Sequence, residues 1–266
     1  MEYITSRRNP LAVHFKKLGI SSAYRQESGE FLCDGIKLLG DALKSGADVP
    51  AVLTASHIQF PLSEGTRLYY TNRELIDSLS PLKNAQDMLF TCRIPVANAG
   101  ADDFDEKAVE ITVDKFTEMT GTHILLDGVQ DPGNVGAIIR TANAFGIKSV
   151  ILTSGCADLY NPKTIRASMG AIFRQSIFHM SLSDIVRLRD NGVRLIGAAL
   201  KEGCRSISDV DLSNSVIAFG SEGSGLSEEV MAICSEKVTI PIAPECESLN
   251  AAAAAAVIMW EARKSV

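Results

Sequence analysis

The second half of the chain alternates short apolar stretches with segments of helical composition, and this alternation limits the folds available to it. The apolar stretches lie at 123–129, 148–153, around 171–178, 194–200, 215–220 and 237–242. Strands buried on both faces read as continuous apolar runs, and helices between such strands are typical of parallel sheets. We therefore expect an α/β domain whose mostly parallel sheet is covered by helices on both faces.

Residues 1–95 mix helical and strand patterns, which indicates a smaller α/β domain. The segments GIKLLGDALKSG (35–46) and NRELIDSLS (72–80) are typical of helices, whereas PAVLTAS (50–56) and RLYYT (67–71) are typical of strands. The next stretch, 96–118, carries seven acidic residues and two lysines over a weakly apolar background. The sequence therefore predicts a domain at 1–95, an acidic linker at 96–118 and a second domain at 119–266.

One strand–helix connection of the second domain is unusually tight. In LLDGVQDPGNVGAIIRTANAFG (125–146), an apolar stretch breaks at Asp131-Pro132-Gly133 and resumes as a helix of small residues. We expect Asn134 to be the N-cap of a helix over 135–145 that ends at Gly146. Turns of this kind bind ligands in many α/β proteins, but an ordinary connection has the same composition.

Two later loops have a similar style. FGSEGSGLSEEV (219–230) ends a strand in a glycine-rich loop around Glu222, and IPIAPECESLNAAAAAAVIMWEARK (240–264) leads into an alanine-rich helix. The chain contains no P-loop, no dinucleotide-binding glycine pattern and no G-x-S-x-G elbow. Nucleotide and serine-hydrolase sites of these standard kinds are therefore excluded, and each loop alone is compatible with an ordinary turn.

Charge and cysteine usage narrow the class of protein. The formal net charge is −6, yet residues 1–26 carry +4 and residues 132–201 carry +6. These basic segments could form a phosphate-binding face or be ordinary solvated surface. Six cysteines without a C-x-x-C pair, and no signal peptide, indicate a reduced cytoplasmic protein. The four scattered histidines predict no metal site, and no apolar stretch has the length of a membrane span.

The three loop stretches, in this order and spacing, resemble the three motifs of the SpoU/TrmH branch of the SPOUT RNA methyltransferases. They are DPGNVGAIIRTANAFG (131–146), FGSEGSGL (219–226) and IPIAPECESLN (240–250). The segment IRASMGA (165–171) is similar to the family's stretch between the first two motifs. ITSRRNPLAVHFKKL (4–18) and FLCDGIKLLGDAL (31–43) are similar to the small substrate-binding domain of rRNA-directed members. The resemblance covers nearly the whole chain.

This resemblance implies methyl transfer from S-adenosylmethionine to a ribose 2′-hydroxyl of RNA, with large-subunit (23S) rRNA as the expected substrate. It also implies a C-terminal SPOUT domain with a trefoil knot, a homodimer, and no metal or membrane partner. Transfer RNA is the near alternative substrate. A non-catalytic RNA-binding assembly factor is an alternative from a different class, and a dinucleotide oxidoreductase is a more distant one.

The resemblance assigns catalytic roles to five residues: Asn134, Arg140, Glu222, Ser248 and Asn250. Arg140 would assist the ribose hydroxyl. A guanidinium is a very weak acid, so it stays protonated and is not an ordinary base. This favours phosphate positioning and alkoxide stabilisation by Arg140, and direct proton removal stays open. Asn134 would orient the ribose or the loop, and Glu222 would fix Arg140 or a neighbouring loop.

The remaining assignments concern cofactor and RNA. On the resemblance, S-adenosylmethionine contacts fall on Gly220, Ile240 and Leu249, through backbone groups and apolar contact with adenine. RNA contacts are expected from the basic amino-terminal segment and from the stretch between the first two motifs. These residues are Arg7, Arg8, Lys16, Lys17, Arg166 and Ser168.

Overall fold

A computed structural model describes residues 2–95, 116–118, 120–200 and 203–264 of the chain. Its strands are β1 Glu2–Tyr3, β2 Glu30–Asp34, β3 Ala51–Thr54, β4 Arg67–Tyr70, β5 Met88–Arg93, β6 His123–Asp127, β7 Ser149–Leu152, β8 Ser176–His179, β9 Leu195–Ala198, β10 Arg205–Ser206, β11 Val216–Gly220 and β12 Glu236–Thr239. Its helices, numbered over the described residues, are α1 Pro10–Ile20, α2 Ser22–Ser28, α3 Ile36–Lys44, α4 Arg73–Leu79, α5 Pro132–Phe145, α6 Pro162–Ser168, α7 Leu182–Asp190, α8 Glu228–Ile233 and α9 Ala251–Arg263.

The chain divides into two compact units. The first comprises Met1–Gly100 together with Asp158–Arg174, and the second comprises Ala101–Ala157 together with Gln175–Val266. The segment Asp158–Arg174 therefore packs with the amino-terminal residues, although it lies between β7 and β8 of the other unit. Of the predicted linker at 96–118, only residues 116–118 fall within the described residues. The predicted boundaries at 95 and 119 stay a prediction.

The first unit contains a mixed five-stranded sheet in the order β1-β4-β3-β5-β2. The predicted helices at 35–46 and 72–80 are α3 and α4, and the strands predicted at 50–56 and 67–71 are β3 and β4. Helix α1 begins at Pro10, where Asn9 accepts a hydrogen bond from the Leu11 amide at 2.9 Å. The apolar face of α1 buries Phe15 and Leu18 in the core of the unit.

The second unit contains seven parallel strands in the order β10-β12-β9-β11-β6-β7-β8. This confirms the expected parallel sheet. The stretch expected around 171–178 forms a strand only at Ser176–His179, because residues up to Arg174 pack in the first unit. Among the described residues, no helix combines the length and the apolar character needed to cross a membrane.

Both faces of the parallel sheet are covered. Leu125 and Val216 pack in one core cluster with side chains of α7 and α8. The preceding and following residues, Ile124 and Ile217, are fully buried as well. Because neighbouring residues of a strand point to opposite faces, the second face is also shielded, and α5 and α9 contact strands β7 and β11. The trefoil knot implied by the resemblance stays a prediction.

Candidate active site

The three motif loops follow strands β6, β11 and β12. Because these strands are parallel, their carboxyl ends meet at one edge of the sheet, where open α/β sheets bind ligands. Helix α5 leaves the first loop and helix α9 leaves the third, and the two helices pack against each other. The structure therefore brings the three stretches together within the second unit.

The sequence predicted Asn134 as the N-cap of α5, and this prediction is wrong. Asp131 is the N-cap, and its Oδ1 accepts a hydrogen bond from the Asn134 amide at 2.8 Å. Pro132 occupies the first helical position, which suits its fixed φ and missing N–H. The Asp-Pro pair was the available sequence signal for this cap. Because Asp131 caps the helix, the side chain of Asn134, in the first turn, is not used for capping.

That side chain joins the three motifs. Asn134 Nδ2 donates to Glu222 Oε1 at 2.7 Å, and Asn250 Nδ2 donates to Asn134 Oδ1 at 3.0 Å. Asn250 is also the N-cap of α9, since its Oδ1 accepts from the amides of Ala252 and Ala253 at 2.9 and 3.2 Å. One carboxamide on α5 thus holds the second-motif loop and the start of the last helix.

The electrostatics of Glu222 favour its ionised form. Partial burial opposes ionisation, but hydrogen bonds from Asn134 and from the backbone amides of Glu222, Gln130 and Asp131 outweigh that effect, so the pKa of Glu222 lies below its ordinary value. A carboxylate that accepts several N–H groups is stabilised in its charged state. Glu222 therefore carries negative charge near neutral pH and is bonded to Asn134, on the same helix as Arg140.

Arg140 stands apart from this chain of side chains. It lies six positions after Asn134 on α5 and is exposed, and among the described residues its guanidinium has no hydrogen-bond or ion-pair partner. Of the two roles considered for Glu222, contact with Arg140 is not observed, and contact with Asn134 is. All five donors of Arg140 are therefore available to a ligand.

A cavity of about 470 Å³ opens between the loop after β11 and the loop after β12. Its lining includes the three residues expected to contact the cofactor, Gly220, Ile240 and Leu249, together with Ser248 and Glu222. The size and the largely apolar and glycine lining are those of a small-molecule site. Among the described residues, no group of three or more His, Cys, Asp or Glu side chains could hold a metal ion.

Gly220 is required at the entrance to this loop because the chain folds back on itself there. A Cβ atom at residue 220 would lie 1.9 Å from the carbonyl carbon of Gly225 and 2.0 Å from the Leu226 nitrogen. Since both neighbours are backbone atoms, no side-chain rotation could relieve the overlap. Gly220 therefore sets the wall of the cavity through its lack of a side chain.

The four basic residues predicted to bind RNA in the first unit are exposed: Arg7, Arg8, Lys16 and Lys17. Arg7 lies 3.8 Å from Glu74, Lys16 donates to the Ser78 carbonyl, and Lys17 stacks over Tyr24. These contacts are at the surface, where ion pairs contribute little. Their ammonium and guanidinium groups remain accessible to a polyanion.

The other two residues predicted to contact RNA, Arg166 and Ser168, form hydrogen bonds within the first unit. Ser168 is fully buried and donates to the Ile165 carbonyl at 2.8 Å, so its assignment to RNA binding is not supported by its position. Arg166 donates to Asp34 at 2.9 Å and to the Asn84 carbonyl at 2.7 Å. Burial raises the pKa of Asp34, although the Gln86 amide and Arg166 oppose that rise.

Arg25 adds to the charge of the amino-terminal segment but does not face solvent. It is 4% exposed, pairs with Asp158 and donates to the Leu18 carbonyl at 2.6 Å. It therefore fastens the segment 158–174 to α2, and its guanidinium is not exposed to a phosphate. No spacing in the sequence indicated this contact, because its partners are 133 positions apart.

Comparison with known proteins decides the family. The sequence model of the SpoU rRNA Methylase family matches residues 121–260, more than half of the chain. This chain belongs to the SpoU rRNA methylase family. The SpoU match covers all three motif loops and the strands that precede them.

Similar SpoU-type proteins extend the likeness to the first unit. The chain is 29% identical to the 23S rRNA (guanosine(2553)-2′-O)-methyltransferase RlmP of Bacillus subtilis, over 99% of this chain and 100% of that protein. It is also 29% identical to the 23S rRNA (uridine(2479)-2′-O)-methyltransferase of Streptomyces viridochromogenes, over 90% of this chain and 84% of that one.

Solved structures agree with this assignment. An rRNA methyltransferase from Sinorhizobium meliloti, crystallised with S-adenosylmethionine bound, is 27% identical with a TM-score of 0.84, covering 99% of this chain and 97% of its own. The methyltransferase AviRb of Streptomyces viridochromogenes, in complex with the same cofactor, is 25% identical with a TM-score of 0.79, covering 97% and 98%. Both solved methyltransferases therefore match the fold of the first unit as well as that of the SpoU unit.

Proposed function

We propose that this protein transfers a methyl group from S-adenosylmethionine to a ribose 2′-hydroxyl of 23S rRNA. The observation that carries the proposal is the position of Glu222, which lines the cavity and also binds Asn134 on the helix of Arg140. A cofactor cavity and a candidate acceptor site are thereby joined by one hydrogen bond. Relatives that match both units are named as 23S rRNA 2′-O-methyltransferases, which supports this choice of RNA.

The cavity suits the cofactor. Its volume of about 470 Å³ fits a nucleoside-sized ligand, and Ile240 and Leu249 offer apolar surface for an adenine ring. Glu222 and Glu247 are the only ionisable side chains among the described residues of the lining, so the cavity is anionic and complementary to a sulfonium cation. S-adenosylmethionine supplies a methyl group that is already electrophilic because its sulfur is positively charged.

The protein must then orient the ribose hydroxyl and stabilise the negative charge that grows on its oxygen. In the transfer, an oxygen–carbon bond forms, a carbon–sulfur bond breaks and the hydroxyl proton leaves to solvent or a protein group. We assign charge stabilisation and phosphate positioning to Arg140, because its five donors are unused and a guanidinium, which stays protonated, is a poor base. Asn134, held by Glu222 and Asn250, orients the acceptor, and Ser248 completes the cavity wall.

We assign initial RNA capture to the basic residues of the first unit. Neutralising Arg7, Arg8, Lys16 and Lys17 to glutamine removes up to four phosphate contacts. RNA affinity should fall, and the slope of log affinity against log salt should flatten by about 3 units. Filter binding of a 23S rRNA fragment across a salt series measures both quantities. Equal slopes for wild type and variant would move RNA recognition to the basic residues of 132–201.

We also propose a homodimer located in the cytoplasm. Val257 and Trp260 are 41% and 48% exposed on α9, and their spacing places them on neighbouring turns of one helix face. Large exposed apolar side chains on one face favour association with a second copy. All six cysteines lie in the described part of the chain and are free thiols, which suits a reducing compartment. Light scattering of the purified protein tests the dimer.

Cofactor binding provides the direct test of the first step. Isothermal titration of the full-length protein with S-adenosylmethionine, without added metal, should show saturable binding. A folded protein that does not bind at millimolar cofactor would exclude the methyltransferase function. If the protein binds cofactor but labelled methyl reaches no RNA, the assembly-factor alternative replaces it, and label in transfer RNA alone would change the substrate.

A further inference from the structure

The carboxylate of Asp127 joins the loops that carry the first two motifs. Asp127 is the last residue of β6, and in the sheet register it lies opposite Gly220, the last residue of β11. Its Oδ2 accepts a hydrogen bond from the Ser227 amide at 2.8 Å, and its Oδ1 accepts one from the Thr153 hydroxyl at 3.3 Å. One side chain therefore contacts the segments that follow β7 and β11.

Both ends of the Glu222 loop lie against Asp127. The loop comprises residues 221–226; it begins after Gly220, which pairs with Asp127 in the sheet, and ends at Ser227, whose amide binds the carboxylate. Within the loop, the amide of Ser221 donates to the Gly225 carbonyl and the amide of Gly225 donates to the Ser221 carbonyl, each at 3.0 Å. The loop is thus a closed turn held at its base by Asp127.

The first-motif loop is attached to the same point through Thr153. The Thr153 hydroxyl accepts from the Gly128 amide at 3.1 Å while it lies in hydrogen-bond distance of Asp127. A second hydrogen bond holds the same loop: the amide of Ala157, four residues after Thr153, donates to the Val129 carbonyl at 2.8 Å. The position of Asn134, which follows this loop, is therefore tied to the carboxylate that holds the Glu222 loop.

We propose that Asp127 is a positioning residue for methyl transfer. It sets the spacing between Glu222 and Asn134 by holding the roots of their two loops, and so shapes the cavity wall formed by residues 221–226. This inference rests on the proposed function for its catalytic consequence. A purely structural role, as an anchor for the start of α8, would lower stability without altering the bound cofactor or the transfer step.

Two substitutions of Asp127 separate these roles. Asp127→Ala removes both acceptors, and we expect the dissociation constant of S-adenosylmethionine to rise about tenfold or more, with a similar fall in kcat, as for one lost charge-assisted hydrogen bond. Asp127→Asn should restore most of both quantities. Its carboxamide oxygen can accept from Ser227, while its NH₂ donates to Thr153, whose proton can turn to the Ser154 carbonyl at 3.2 Å.

Asp184 offers a matched control in the same unit. Its Oδ2 accepts from the Ser181 amide at 2.8 Å in the capping box of α7, and it lines no part of the cavity. Asp184→Ala should lower the melting temperature and leave cofactor affinity and kcat unchanged. If Asp184→Ala loses as much affinity and rate as Asp127→Ala at a comparable loss of melting temperature, the positioning role is refuted.

A measurement without cofactor keeps this test apart from the test of function. Amide hydrogen exchange at Gly225 and Ser227 should quicken in Asp127→Ala and return towards the wild-type rate in Asp127→Asn. Unchanged exchange in Asp127→Ala would overturn the inference, whatever the protein catalyses. Wild-type protein that transfers no methyl to RNA would instead overturn the proposed function, while the exchange comparison still decides what Asp127 holds.

Discussion

Replacing Arg140 by alanine should separate catalysis from both folding and cofactor binding. The guanidinium is exposed and has no partner among the described residues, and the cavity lining does not include it. An exposed side chain without partners contributes within about 0.5 kcal/mol to stability, and alanine suits a helix interior at least as well as arginine does. We therefore expect the melting temperature and the affinity for S-adenosylmethionine to stay close to wild type.

The effect on methyl transfer should be much larger. Removing one preorganised donor from a site of developing negative charge typically lowers kcat by about 10²-fold, which corresponds to about 2.7 kcal/mol. The expected loss in the barrier is thus at least five times the expected change in stability. Arg140→Lys should give an intermediate rate, because it keeps the charge and loses the planar fork of donors.

The assay is transfer of labelled methyl from S-adenosylmethionine to 23S rRNA at saturating cofactor, combined with calorimetry and thermal melting. Arg189→Ala is the matched control, since Arg189 is a partly exposed arginine in the last turn of α7 whose partner is the neighbouring Asp190. It should transfer methyl at the wild-type rate. An Arg140→Ala protein that also transfers at that rate would refute the role given to Arg140.

Three further outcomes are expected. Gly220→Ala should weaken S-adenosylmethionine binding by at least about tenfold, because the new Cβ would displace the loop at Gly225; unchanged titration calorimetry would contradict this. Glu222→Gln should destabilise the protein at neutral pH. The pKa of Glu222 is lower in the folded protein than in the unfolded chain, so its ionised form stabilises the fold at pH values above the unfolded-state pKa. The difference should fade as pH falls below the ordinary 4.5, as urea unfolding across pH would show. Asn250→Asp keeps the cap of α9 but loses the donor to Asn134, so transfer should fall while stability stays within about 0.5 kcal/mol; Asn250→Ala should lose about 0.5–2 kcal/mol more.

Much of the fold could be predicted from the sequence because most strands coincide with short apolar stretches. Six apolar stretches predicted the parallel sheet of the second unit, and the ends of strands β6, β7, β9, β11 and β12 lie within three residues of the predicted ends. The exception was the stretch around 171–178. Its first part packs in the first unit through contacts with residues far away in sequence, which a local pattern does not contain.

The sequence predicted which residues form the candidate site, but it did not predict their contacts with one another. The order and spacing of three motifs indicated the family, which the comparisons confirm, together with the fold. The individual roles of Asn134, Arg140 and Glu222 stay predictions. Their mutual contacts could not be predicted, because residues 88 and 116 positions apart meet only when the sheet is formed.

Burial could not be predicted for two polar residues of the first unit. The resemblance assigned Ser168 to RNA binding, and Arg25 belongs to the basic amino-terminal segment, yet both side chains are buried within the first unit. Charge and residue type predict what a side chain can bind, whereas burial decides what it does bind. The pairing of Arg25 with Asp158 is a tertiary contact with no local signal.

A ribose-methylation map of 23S rRNA, made after incubation with the purified protein and S-adenosylmethionine, tests the proposed methyl transfer most directly. Unmodified 23S rRNA serves as substrate, with 16S rRNA and transfer RNA as parallel substrates and Arg140→Ala as the slow control. We expect one new 2′-O-methyl group in 23S rRNA with the wild-type protein and, after the same short incubation, about 10²-fold less of that modification with the variant. A map without any new 2′-O-methyl group in 23S rRNA, obtained with protein that binds the cofactor, would contradict the proposed methyl transfer.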